Sequence, residues 1–271
     1  MSSATDPMQG LKNRMRATWM AGDFGMIARL SAESAAEFVG RLPVRAGAHV
    51  LDVACGTGNL SIPAARLGAQ VTGVDIASNL LEQARARAAA EGLPATFEEG
   101  DAEALQQPDE SFDVVMTMFG AMFAPRPERV ARELTRVCRP GGVVAMANWT
   151  PEGFVGQMFR LTAQHVPPPQ GIAPPVLWGK EEVVRERLSP FVSKVETARR
   201  RCRFDLPLPV PEVVAYFRKY FGPTQLQFEK LDAAGQAALA ADLESLWAKH
   251  NRASGNRTVC EAEYLEVIAT R

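Results

Sequence analysis

The chain has 271 residues, which is enough for one large α/β domain or two small domains. Hydrophobic residues make up 46% and charged residues 23%, and these ordinary values exclude a disordered or collagen-like chain. The 30 Lys and Arg residues nearly balance the 31 Asp and Glu residues, so the net charge of -1 argues against a strongly basic nucleic-acid-binding protein.

The N-terminal residues predict a helical segment. Residues 1–10 are small and polar and predict a frayed end, whereas apolar side chains recur near a 3.6-residue period through residues 11–40. Glycines interrupt this period, and Asp23 predicts the N-cap of a second helical piece that begins near Phe24.

The middle of the chain alternates between predicted strands and helices. The strands are expected at 50–54, 70–75, 95–98, 112–117 and 143–148. The helices are expected at 60–67, 80–91 and 128–137, the last closed by the Pro-Gly-Gly sequence at 140–142. Strands separated by helices predict βαβ units and a parallel sheet, whose strand carboxyl ends form a ligand-binding edge.

The remainder of the chain is less regular. Helices are expected at 154–163, 181–188, 211–220 and 232–249, and extended segments at 194–204 and 264–269. A proline-rich loop is expected between residues 167 and 175. Arginines at 199–201 and at 203 alternate between the two faces of a predicted strand, which is typical of a solvated edge strand.

The cysteines stand alone, at positions 55, 138, 202 and 260. None forms a C-x-x-C pair and none has histidine partners at zinc-like spacing, so we expect no metal. A disulfide scaffold is unusual at this length, and no secretory leader or long apolar run is evident. These features predict a cytoplasmic protein without a membrane span.

A glycine-rich turn follows the first predicted strand, in the sequence LDVACGTGNL at 51–60. Gly56 and Gly58 allow a tight turn and a close ligand, and the helix start beyond them offers free N–H groups. The turn fits the pyrophosphate of a nicotinamide dinucleotide, or a zwitterionic amino-acid tail whose ammonium faces Asp52. The dinucleotide motif has glycine where Ser61 stands. A tight turn without a ligand is the third interpretation.

Acidic residues stand at the ends of three successive predicted strands: Asp52, Asp75 and Asp101. Each one alone is typical of a surface loop. Because the carboxyl ends of parallel strands meet at one edge, together they predict a site that accepts hydrogen bonds from a ribose diol and an adenine amino group.

Five motifs carry a family resemblance: LDVACGTG at 51–58, VD at 74–75, GDAEAL at 100–105, FDVV at 112–115 and RPGG at 139–142. Together they resemble class I S-adenosylmethionine-dependent methyltransferases, most closely the branch of the ubiquinone and menaquinone-biosynthesis methyltransferases. The resemblance covers residues 48–150 firmly and the flanks more loosely.

The resemblance implies an α/β fold of Rossmann-like type, with a seven-stranded mixed sheet of order 3-2-1-4-5-7-6 and helices on both faces. A single domain over 1–271 would comprise an N-terminal helical lid (1–46) and a cofactor-binding core (47–150). Residues 151–271 would supply the acceptor loop, a helical cap inserted before the last strand, and the completion of the sheet.

The resemblance also implies that S-adenosylmethionine is bound and S-adenosylhomocysteine is released. The implied cofactor residues are Trp19, Asp52, Ala54, Cys55, Gly56, Gly58, Asp75, Ile76, Asp101, Ala102, Met118 and Phe119. Asp52 and the loop would hold the methionine moiety, Asp75 the ribose and Asp101 the adenine. Ala54 departs from the glycine that the family often has, and a positive φ is less comfortable for alanine.

Methyl transfer is an in-line displacement at a sulfonium carbon, so the protein must supply proximity, alignment and exclusion of water. His165 is the candidate base for an acceptor that arrives protonated. A small, largely apolar or aromatic acceptor is expected, with candidate contacts Phe24, Met122, Phe123, Trp149, Phe154 and Trp178. We expect a monomer or homodimer; a non-catalytic cofactor-binding accessory or regulatory protein is the alternative hypothesis.

Overall fold

A computed structural model describes residues 7–169 and 172–271. The N-terminal segment forms α1 (Pro7–Met20), α2 (Phe24–Ala28) and α3 (Ala32–Gly40), with a 3-10 turn at Arg29–Ser31. The helix begins at Pro7, which corrects the expected frayed end over 7–10; residues 1–6 of that expectation lie outside the described residues. The predicted N-cap is confirmed, because the Asp23 carboxylate accepts a hydrogen bond from the Gly25 N–H at 3.1 Å.

A seven-stranded mixed sheet follows, in the predicted order β3-β2-β1-β4-β5-β7-β6. Its strands are β1 (His49–Val53), β2 (Gln70–Asp75), β3 (Ala95–Glu99), β4 (Phe112–Met118), β5 (Cys138–Trp149), β6 (Lys194–Leu206) and β7 (Thr258–Thr270). The first five strands run parallel, and β7 is antiparallel to both neighbours. The carboxyl ends of β1 to β4 therefore meet at one edge, as the sequence predicts.

Helices cover the central strands. The connections contain α4 (Ser61–Arg66), α5 (Ser78–Ala90) and α6 (Pro127–Val137), followed by α7 (Phe154–His165) and α8 (Glu181–Leu188). Consecutive residues of β1 and β4 are buried, which requires that both faces of the sheet be covered. The Pro-Gly-Gly sequence at 140–142 was expected to end α6, but it lies within β5, because that helix already ends at Val137.

The sheet ends in a charged edge strand, as predicted for the arginine run. Arg199 pairs with Glu263 at 2.7 Å, and Arg201 pairs with Glu261 at 2.9 Å, each across to β7. Cys202, the residue after Arg201, is fully buried on the opposite face. Charged side chains along an exposed edge oppose pairing with another chain.

The helical insertion lies between β6 and β7. It contains α9 (Val210–Tyr220), α10 (Gly222–Glu229) and α11 (Ala233–His250). Helix α10 is not among the predicted helices, because its Gly222-Pro223 start has the composition of a turn. Proline is nevertheless well tolerated at the start of a helix. Among the described residues, no helix is both long and apolar enough to cross a membrane.

Candidate functional site

A cavity of about 510 Å³ opens at the carboxyl edge of β1 to β4. Every described residue that lines it lies between Gln9 and Pro125. The volume is within the range of sites for small molecules and cofactors. The cavity is therefore built by the N-terminal helices and the first four strands, and not by the inserted helices.

The glycine-rich turn after β1 forms one wall of the cavity. Its backbone is left-handed at Ala54 (φ 56°), Gly56 (φ 52°) and Gly58 (φ 81°). An alanine in this region costs about 1–2 kcal/mol, so Ala54 holds local strain at the cavity. Gly120 makes room for this conformation, because a Cβ there would lie 2.6 Å from the Ala54 carbonyl oxygen.

Asp52 occupies the end of β1 and is 1% exposed. One carboxylate oxygen, Oδ2, accepts a hydrogen bond from the Ser61 hydroxyl at 2.6 Å, whereas Oδ1 has no partner among the described residues. Burial raises the pKa of Asp52 to about 7. A buried carboxylate with an unpartnered oxygen beside a cavity fits a cationic group, and the ammonium of an amino-acid tail is such a group.

Asp75 ends β2 and is held rigidly by the adjacent backbone. Its two oxygens accept hydrogen bonds from the N–H groups of Gly56 and Ala77, each at 2.8 Å. Burial raises the pKa of this carboxyl group, and the backbone hydrogen bonds oppose that rise. The side chain lines the cavity with lone pairs that the backbone does not use, which suits the hydroxyls of a ribose.

The carboxylate of Asp101, after β3, meets the lid. Lys12 of α1 forms ion pairs with both Asp101 and Glu103, the second at 2.6 Å. The Glu103 side chain is fully buried and also pairs with Arg126 at 2.6 Å. An acidic pair at this edge of the cavity is thus covered by a cation from the N-terminal helix.

An aromatic group closes the other side of the cavity. Trp19 meets Phe24 and Phe123 edge-on, with ring centroids 5.6 and 5.0 Å apart. Met118 and Phe119, from the end of β4, line the same cavity. Aromatic and thioether side chains of this kind form an uncharged wall.

Most of the predicted cofactor residues line the cavity: Trp19, Asp52, Ala54, Cys55, Gly56, Asp75, Ile76, Asp101, Ala102, Met118 and Phe119. Gly58 does not; it packs behind the turn, where a Cβ would contact Ala84 at 3.4 Å. Burial raises the pKa of the Cys55 thiol well above its usual range, so this cysteine is a packing residue and not a nucleophile.

Four predicted acceptor contacts are corrected by the structure: Met122, Trp149, Phe154 and Trp178 are buried in the core and do not line the cavity. Trp149 stacks on Phe119 with ring centroids 3.5 Å apart, and Phe154 packs against Trp247 at 4.6 Å. The sequence predicts that these rings contact the acceptor, whereas in the structure they pack in the core.

The candidate base His165 is also corrected. It lies at the end of α7, where its Nε2 pairs with Asp242 of α11 at 2.7 Å, and it does not line the cavity. The inserted helices, expected as an acceptor cap, do not line the cavity and pack against the N-terminal helices. Within the described part of the chain, no group of three or more His, Cys, Asp or Glu side chains has an arrangement that could hold a metal ion.

Several residues of the lid helix α1 line the cavity but are not among the predicted site residues, chiefly Lys12, Met15 and Arg16. With Trp19 they follow the i, i+3, i+4, i+7 spacing of one helical face. That spacing was visible in the sequence, but it could not show which surface the face would meet. Ser31 and Asn59 also line the cavity and were not predicted.

Comparisons with known proteins agree with this site. A family model described as a methyltransferase domain matches residues 50–142. The uncharacterized protein Rv1405c of Mycobacterium tuberculosis is 37% identical over 268 residues, which cover 97% of this chain and 96% of that protein. The demethylmenaquinone methyltransferase of Deinococcus radiodurans is 41% identical over 140 residues, which cover 50% of this chain and 56% of that protein.

Solved structures share the fold. The YcgJ protein of Bacillus subtilis superposes with a TM-score of 0.62 at 18% identity, covering 88% of this chain and 98% of that one. Phosphoethanolamine N-methyltransferase 2 of Haemonchus contortus, solved with phosphomonomethylethanolamine and S-adenosylhomocysteine, gives a TM-score of 0.57 at 18% identity, covering 88% and 52%. Together with the full-length relative and the matching domain, these findings confirm the predicted resemblance. The chain belongs to the class I S-adenosylmethionine-dependent methyltransferases.

Proposed function

We propose that this enzyme methylates a small, largely apolar or aromatic acceptor. The observation that carries this proposal is the uncharged wall of the cavity, formed by Trp19, Phe24, Phe123 and the end of β4. The charged lining side chains belong instead to α1 and to the ends or following loops of β1 to β3. An acceptor with an aromatic ring would lose little hydration there, whereas a phosphate or a second carboxylate would lose its water without a cationic partner.

The cofactor side of the proposal assigns Asp52 to the ammonium, Asp75 to the ribose and Asp101 to the adenine. S-adenosylmethionine supplies, when bound, a methyl group on a positively charged sulfur. The nearby aromatic rings would suit that charge through their π faces. The residues around the acceptor would orient its nucleophilic atom and exclude water, and this positioning supplies most of the rate.

The proposal includes no general base from the protein. His165 lies outside the cavity, and the Cys55 thiol is held protonated by its raised pKa. A neutral aryl amine or an already ionised phenol would therefore react without a protein base, with any proton that the methylated amine releases passing to water, and proximity would dominate.

The relative named for demethylmenaquinone agrees with a ring-containing acceptor. Another relative, a phosphatidylethanolamine N-methyltransferase of Cereibacter sphaeroides, is 43% identical over 104 residues, covering 38% of this chain and 51% of that protein. Its name suggests a lipid amine instead. The uncharged wall favours the ring, and both classes belong in one experiment.

The test is transfer of labelled methyl from S-adenosylmethionine to four acceptor classes: quinols and phenols, aryl amines, phosphoethanolamine lipids, and zwitterionic amino acids. We expect product with the ring compounds at a kcat/KM at least about tenfold above the other classes, which corresponds to about 1.4 kcal/mol. Equal or higher kcat/KM with the lipid or the amino acids would refute the acceptor class. Tight cofactor binding without product from any class would favour a non-catalytic protein.

Two variants sharpen this test. Phe123→Ala removes one ring of the aromatic wall and is expected to lower kcat/KM for the ring acceptor about tenfold, because it removes packing around the acceptor. Phe191→Ala is the matched control, since Phe191 is 37% exposed and does not line the cavity. An identical effect of both substitutions would contradict the assignment of the wall.

A further inference from the structure

Helix α1 covers the cavity but is itself held loosely. No residue of α1 is buried, although its Lys12, Met15, Arg16 and Trp19 all line the cavity. Trp19 packs partly buried against the core, but a helix without a fully buried side chain gains less from apolar burial and depends more on a few specific contacts. Those contacts lie at its two ends and differ in kind.

The C-terminal end of α1 is anchored by close packing against the inserted helices. Trp19 contacts the Phe221 ring with centroids 6.0 Å apart. Gly222 passes so near the end of α1 that a Cβ there would lie 2.1 Å from the Thr18 carbonyl oxygen. The Asp23 N–H then donates to the Tyr220 carbonyl oxygen at 3.0 Å. This end cannot separate without disrupting the insertion.

The N-terminal end of α1 is held by charge. Lys12 pairs with Asp101 and with Glu103, and its side chain is 17% exposed. Arg16 also pairs with Glu99 through two contacts, at 2.8 and 2.9 Å, but both of these side chains are more than 40% exposed, so water and salt screen that pair more strongly. The less exposed ion contact at this end is that of Lys12.

The ion pairs of Lys12 can separate without leaving its acidic partners uncompensated. Removing one partner of a buried ion pair is costly because it strands a charge. Glu103 is not stranded here, because Arg126 holds both of its oxygens, through the backbone N–H at 2.6 Å and the guanidinium at 2.6 Å. Asp101 is partly exposed and can be hydrated. Lys12 can thus leave while the acidic pair stays in place.

We propose that Lys12 is the latch of the lid. The helix opens at its Lys12 end, pivoting on its anchored Trp19 end, and the cofactor enters and its product leaves along the adenine side. Lys12 is a positioning residue that acts through Asp101 and Glu103, and it sets the release rate of S-adenosylhomocysteine. This inference rests on the cofactor site of the proposed function.

The test measures the dissociation rate of S-adenosylhomocysteine by stopped-flow tryptophan fluorescence, in the full chain. We expect Lys12→Met to raise that rate about tenfold, equivalent to about 1.4 kcal/mol, and Lys12→Arg to restore it to within about threefold. Arg14→Met is the matched control, because Arg14 is exposed on the same helix and the described residues show no ion pair for it. Raising the salt concentration should speed release from the wild type more than from Lys12→Met, because that variant has already lost one of the two ion contacts at this end of the helix.

The outcomes distinguish failure of the proposed cofactor site from failure of the proposed latch. A wild type that does not bind S-adenosylhomocysteine would overturn the cofactor site itself. A wild type that binds it, together with a Lys12→Met variant that releases it at the wild-type rate, would overturn the latch alone. If Lys12→Met does not fold, Lys12→Gln takes its place, and a wild-type release rate in that variant would overturn the latch.

Discussion

Replacing Asp52 with asparagine is expected to stabilise the fold and at the same time to weaken cofactor binding. The side chain is 1% exposed at the end of β1, and burial raises its pKa to about 7 from an ordinary value of 3.8. Asparagine has the same shape and can keep a hydrogen bond with the Ser61 hydroxyl. It cannot carry the charge that an ammonium would meet.

The size of the effect on stability follows from the raised pKa. The folded state holds the Asp52 proton more tightly than the unfolded state does. The contribution of Asp52 to the free energy of unfolding is therefore greatest at low pH and is lost as the pH rises from about 4 to 7. The difference between 3.8 and about 7 corresponds to at most about 4 kcal/mol. Asp52→Asn avoids this loss, and above about pH 7 it should be more stable by up to that amount.

The effect on binding has the opposite sign. Only the ionised form of Asp52 attracts an ammonium group, so wild-type affinity for S-adenosylhomocysteine should tighten roughly tenfold between about pH 6 and pH 7.5. Asp52→Asn should bind at least about tenfold more weakly at pH 7.5 and show no such dependence. Calorimetric titration at both pH values and urea unfolding at pH 8 measure the two effects.

Asp205→Asn is a useful control, because Arg257 and Arg203 hold the pKa of the partly exposed Asp205 down at about 2, and Asp205 does not line the cavity. It should leave cofactor affinity and its pH dependence unchanged. If Asp52→Asn kept the wild-type slope, the titrating group would be another one, such as Asp75. A variant that is less stable than the wild type at pH 8 would refute the reasoning.

Three further outcomes test the rest of the structure. His165→Ala should change kcat by less than about twofold in a methyl-transfer assay, because the ring lies outside the cavity; a tenfold loss would return it to the mechanism. Gly120→Ala should weaken S-adenosylhomocysteine binding about tenfold or more by calorimetry, since its Cβ would lie 2.6 Å from Ala54; unchanged affinity would contradict this. Arg41→Met leaves the buried Glu266 with a weaker partner and should cost about 2 kcal/mol in urea unfolding, without changing cofactor affinity.

Much of the fold was predictable because its signals are local. The strand ending in Asp75 was predicted with its observed bounds, since a short apolar run between turn residues needs no distant partner to be recognised. The Asp23 cap depends on a side chain and a backbone N–H two residues apart. The meeting of Asp52, Asp75 and Asp101 at one cavity follows from the parallel order of the strands that precede them.

The sequence could not separate the rings of the uncharged wall from rings of the core, because Trp19, Phe24 and Phe123 were predicted as site residues together with Trp149 and Phe154. Trp19 and Trp149 have the same chemistry, and an aromatic ring is equally stable in a core and beside an apolar ligand. Long-range packing placed Trp149 against Phe119 and left Trp19 facing the cavity. The same holds for Lys12, whose partners lie about ninety residues away in the chain.

The sequence by itself predicted the nearly neutral α/β chain and the three carboxylates at the sheet edge, because glycine turns and strand periodicity act over a few residues. The strand order and the cofactor followed instead from the family resemblance of its motifs. Only the tertiary structure decided that no described residue after Pro125 lines the cavity, and that the inserted helices pack against the N-terminal helices. Those outcomes depend on which apolar faces pack together, and this is determined by contacts between residues that are distant in the chain.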